Sequence, residues 1–88
     1  MATLKECINS LEELQDIWNQ GNQESLPFCR YMRRAIDELA WEFIYCTDDV
    51  PADVEETFYR FEDDIYECWR YLKVKHGECS ITLMPIGE

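Results

Sequence analysis

Apolar residues recur along this chain at intervals of three and four, and the rhythm appears in three separate stretches. Leu4, Cys7, Leu11, Leu14 and Trp18 form the first, with Ile8 and Ile17 widening the stripe. That spacing is the period of an amphipathic α-helix, predicted over residues 4–19. Thr3 and Glu6 are placed for a capping box, in which each side chain satisfies an otherwise unpaired backbone donor. Gln20-Gly21-Asn22 is expected to stop the helix, with Gly21 supplying a left-handed turn.

A second helix is predicted from Pro27, because proline suits the first turn, where its missing N–H costs nothing. Cys29, Met32, Ile36, Leu39, Phe43 and Cys46 follow within an arc of about 100°. The opposite side carries Tyr31, Arg34, Glu38, Trp41 and Tyr45. A helix apolar on two sides is either the central helix of a bundle or meets another chain with its second face. The third helix is predicted from Pro51 to Lys75, on the seam Val54, Phe58, Phe61, Ile65, Cys68 and Leu72. Asp53, Glu55 and Glu56 at its start, and Lys73, Lys75 and His76 at its end, complement the helix dipole. Gly77 ends it.

The seams of the second and third helices match in period and length, and a short turn joins them, which predicts an antiparallel hairpin. The expected fold is an all-α, three-helix bundle in one domain spanning 1–88. It consists of the hairpin, an N-terminal helix and a short extended C-terminal tail. That tail, Cys79 to Ile86, is apolar and too short for a helix. It is expected to drape over the bundle, pair with its equivalent in a second subunit, or add to a partner's sheet.

Composition narrows the function classes. Apolar residues are 47% and aromatics 14% of the 88 residues, enough for a core, which excludes a disordered acidic tail despite a mean hydropathy of -0.43. The formal net charge is -11. Such a field repels phosphate, so neither direct nucleic-acid binding nor an anionic membrane is expected. No apolar run reaches the roughly 18 residues of a membrane span, and no secretory signal is read at the start. Five widely spaced cysteines without a CxxC pair are read as reduced thiols, and the expected location is cytoplasmic.

The charge is uneven. Residues 48–67 hold nine acids against Arg60 alone, whereas Arg30, Arg33 and Arg34 balance the acids of residues 29–47. Tyr59, Tyr66 and Trp69 interleave with those acids at helical spacing, and aromatics add contact area that a purely solubilising face does not need. The expected partner-binding surface is therefore Asp48, Asp49, Glu55, Tyr59, Glu62, Asp63, Tyr66, Glu67 and Trp69. It points to a small acidic binding protein that inhibits or sequesters a basic, nucleic-acid-binding protein. This is the mode of an immunity protein or a phage counter-defence DNA mimic.

Catalysis is not expected. The lone His76 sits at a helix end, and no nucleophile, base and orienting group come together. No cofactor or metal is expected either, because His76 and Cys79, with Cys68 as a third ligand, match no common zinc spacing. The alternative reading is a self-assembling oligomer joined through Tyr31, Trp41, Tyr45, Ile81 and Leu83. It would have a structural role or bind small anionic ligands at subunit contacts through Arg30, Arg33 and Arg34.

Overall fold

The computed structural model describes residues 2–77. They form three helices, α1 (Leu4–Gln20), α2 (Leu26–Ile44) and α3 (Ala52–Lys75), packed as a three-helix bundle. The expected tail, with Cys79, Ile81 and Leu83, lies outside the described residues. Among the described residues, no helix is long and apolar enough to cross a membrane.

Local chemistry sets the helix ends. The Thr3 hydroxyl accepts the Glu6 N–H at 3.2 Å, and the Glu6 carboxylate accepts the Thr3 N–H at 2.9 Å. The second of these bonds is the main reason the Glu6 carboxyl sits below the usual carboxylate range. α2 starts one residue before Pro27, because Ser25 takes the N-cap and accepts the Phe28 N–H at 3.4 Å. It ends at Ile44, so Cys46 falls in the turn beyond it. α3 has no side-chain cap at Pro51 and relies on Asp53 and Glu55 in its first turn and Lys73 and Lys75 in its last. Gly77, at φ 73, supplies the left-handed residue that follows it.

Gly21 departs from expectation. Its φ of -86 and ψ of 172 are ordinary extended backbone, open to any residue. The reason for glycine here is steric, because a Cβ would lie 2.1 Å from Cζ of Phe28. The Phe28 ring stacks on Trp18, with centroids 5.8 Å apart and planes 9° from parallel. Gly21 thus gives up its side chain so that this ring pair can close the α1–α2 connection.

Helix α2 is the central element: it packs against both α1 and α3, which touch each other much less. Its Cys29, Met32 and Ile36 are fully buried, as are Cys7 of α1 and Ile65 of α3. The thiols of Cys29 and Cys68 lie 3.7 Å apart, and both donate to the Gln23 carbonyl, at 3.5 and 3.1 Å. The Gln23 side chain in turn donates to the Trp18 carbonyl at 2.8 Å. These contacts fasten the α1–α2 loop to α3. Burial pushes the Cys29 thiol up to about 12 and that of Cys7, which sits against Cys46, up to about 11.

The two glycines separate by mechanism. Gly21→Ala must displace the Phe28 ring and is expected to cost about 1–3 kcal/mol, with a changed near-ultraviolet circular dichroism signal from Trp18. A Cβ on Gly77 meets nothing within 4 Å, so Gly77→Ala should cost about 1 kcal/mol from backbone strain and leave that signal untouched. Thermal melts with near-ultraviolet spectra check this. An unaltered Trp18 signal in Gly21→Ala contradicts the steric account.

Candidate functional site: an acidic-lipped furrow between α2 and α3

Where the C-terminal half of α2 meets the N-terminal half of α3, the two helices leave a furrow of about 250 Å3. Ala40, Phe43 and Ile44 line it from α2, Val50 from the turn, and Phe58 and Tyr59 from α3, with Glu55 and Glu62 at its edge. Phe58 meets Phe43 edge-on at 5.4 Å and Tyr59 edge-on at 5.8 Å, so the aromatic wall is held by ring contacts from both helices. Ile44 and Tyr59 remain 66% and 55% exposed. These apolar groups lie open beside carboxylates, uncovered by the fold.

The electrostatics of the edge are unusual. Glu62 is half-buried, and its carboxyl is pushed above the usual carboxylate range, first by burial and then by the charges of Asp37 and Asp63. Asp37 in turn accepts the Tyr66 hydroxyl and sits 3.9 Å from Arg33. Burial raises the Tyr66 phenol, and the bond to Asp37 and that carboxylate's charge add to the effect. Arg33 is therefore engaged with Asp37, and Glu62 carries the cost of its burial and of its acidic neighbours.

The expected partner-binding residues do not form one surface. Glu55, Tyr59 and Glu62 come together at the furrow. Asp63 and Glu67 are exposed on α3 outside the furrow lining. Asp48 and Asp49 are exposed in the turn, and the Asp48 carboxylate accepts the Leu4 N–H at 3.2 Å, tying that turn to the start of α1. Tyr66 and Trp69 are half-buried and already engaged. Trp69 has the Arg33 guanidinium 4.6 Å and the Lys73 ammonium 4.5 Å from its ring. Tyr59 is therefore the open anchor of the three rings.

Tyr31, Trp41 and Tyr45 are each more than half exposed, and Trp41 stacks on Tyr45 at 5.9 Å. Arg30, Arg33 and Arg34 border a separate shallow hollow with Pro27, Tyr31 and Trp69. The sequence reading missed Ile44, Ala40 and Val50 at the furrow. Ile44 carried the available signal, as an isoleucine off the buried seam of α2 and one place from Tyr45.

The furrow offers carboxylates, rings and aliphatic carbon. His76 is exposed at the C-cap of α3. Among the described residues, no three His, Cys, Asp or Glu side chains converge as metal ligands. Comparison with protein-family models, with curated proteins and with solved structures finds no match for this chain.

Glu62 gives a direct test of the electrostatics. A carboxyl whose folded pKa lies above its unfolded value destabilises the fold once ionised, so stability falls as pH rises through the raised pKa. Glu62→Gln should therefore melt higher than wild type near pH 7. The gain should shrink toward zero as pH drops below about 4, where both forms are neutral. A gain that is absent at neutral pH contradicts the assignment.

Proposed function

We propose that this chain is a non-enzymatic binding protein that docks a basic protein on the α2–α3 furrow and thereby blocks or sequesters it. One observation carries the reading: a half-buried Glu62, its charge disfavoured first by burial and then by Asp37 and Asp63, at the edge of an open apolar furrow. A lysine or arginine placed between Glu55 and Glu62 relieves that repulsion. An aliphatic side chain from the same partner covers Ile44 and Tyr59. Both terms are realised only in the complex, so both favour binding.

The remaining acids act at longer range. Asp48, Asp49, Asp63 and Glu67 stay exposed around the furrow and contribute to the field of a chain with net charge -11. Such a field accelerates encounter with a cationic surface and is screened by salt. A surface that binds nucleic acid is cationic for the same reason, so an acidic face of this kind competes for it. Inhibition of a nucleic-acid-binding protein, of the immunity or counter-defence type, follows as the specific form of the proposal.

The test starts from capture in a lysate of the source organism, with wild type and Glu62→Lys/Asp63→Lys as parallel baits. A basic protein should be retained by wild type alone and released by a salt gradient. With that partner purified, raising NaCl from about 50 to about 500 mM should slow association at least tenfold. The double reversal should act mainly on association, and Tyr59→Ala mainly on dissociation. Binding that ignores salt, or a partner held equally by the reversed bait, contradicts the proposal.

A further inference from the structure

The outward ridge of α2, opposite its buried stripe, carries a pattern the furrow does not use. Arg30, Arg34, Trp41 and Tyr45 fall within about 60° of arc on that ridge, with Tyr31 and Glu38 beside them. All six are exposed, and the three rings are each more than half open to solvent. α1 and α3 pack on the other sides of α2, so neither covers this ridge.

The order along the ridge is self-complementary. Arg34 and Trp41 are equally distant from the Asp37–Glu38 peptide, as are Arg30 and Tyr45. An antiparallel second α2, centred on the same peptide, therefore sets each cation opposite a ring. In a twofold pair every such contact occurs twice, because residue i meets j and j meets i. A guanidinium over an indole or phenol face is attractive, the more so once water is excluded.

Charge also balances at the axis. Glu38 of the two copies would meet there, and each lies one helical turn from its own Arg34 and close to the other's. Two guanidiniums and two carboxylates make a neutral group at the centre. Among the described residues, Arg34 has no salt bridge or hydrogen bond within its own chain to give up. The rings each expose roughly 100–150 Å2, which with the arginine stems makes a contact at the small, weak end of protein interfaces.

We propose that the chain forms a twofold dimer through the outward ridge of α2, with Arg34 of each copy stacked on Trp41 of the other. The interface leaves Glu55, Tyr59 and Glu62 outside the contact, so the dimer presents two furrows. It stands on the register of the ridge and does not depend on what the furrow binds.

A complementation experiment tests this register. Under reducing conditions, sedimentation velocity at about 100 μM should show wild type as a dimer. Arg34→Glu and Trp41→Lys should each weaken it at least tenfold, since one sets a carboxylate on the ring and the other opposes two cations. Mixing the two variants should restore the dimer, because the mixed pair holds one Glu–Lys contact and one native Arg–Trp contact. Far-ultraviolet circular dichroism and melting of each variant show that the fold is retained, as these positions are exposed. A monomeric wild type overturns the proposal, and so does a dimer indifferent to both substitutions. Variants that weaken the dimer but fail to complement one another overturn it as well, because the register is then different.

Discussion

The buried stripe of α2 is the contact on which the rest of the structure depends. Cys29, Met32, Ile36 and Leu39 present one continuous apolar surface to two neighbours, and α1 and α3 reach each other only weakly without it. A small domain buries a modest share of its surface and has little stability to spare. A single helix serving both neighbours is an economical answer, because one stripe fills the core from both sides. Its geometric consequence is that neither α1 nor α3 covers the opposite ridge of α2. The aromatics there are exposed because the helix is central.

A second constraint is electrostatic. A net charge of -11 on 88 residues opposes compaction, and the acids concentrate beside the α2–α3 hairpin. Some of that cost is offset locally: Glu6 caps α1, Asp48 receives the Leu4 N–H, and Asp53 and Glu55 sit in the first turn of α3. Glu62 has no such role in the fold, being half-buried between Asp37 and Asp63. Groups whose environment works against the fold are where a partner would gain most by binding, which is the ground for the docking proposed at the apolar furrow beside Glu62.

Much of the architecture was legible in the sequence because helical periodicity is a local signal. Each seam repeats at three and four, and Thr3, Pro27 and Gly77 mark ends by rules that act over a few residues. The site was legible only in part, because its assembly depends on which residues of different helices meet. Glu55, Tyr59 and Glu62 share one helix flank and were found together, whereas Ile44, Ala40 and Val50 join them only through packing. Tyr66 and Trp69 lie on the same flank and look equivalent to Tyr59, yet Asp37, Arg33 and Lys73 claim them across or along the helices. Gly21 was misread for a related reason, since its glycine answers to Phe28, seven residues on, and not to its own backbone angle.

In the proposed complex, a cation from outside the chain completes the Glu62 carboxylate at the edge of the apolar furrow. A carbon-13 NMR titration of the glutamate side-chain carboxyls measures this directly, on the free protein and with a lysine- and leucine-rich helical peptide bound. Glu62 should titrate above the exposed glutamates in the free protein, and its pKa should fall when the peptide binds. Glu62 titrating with the exposed glutamates, or keeping its pKa in the presence of the peptide, contradicts the account.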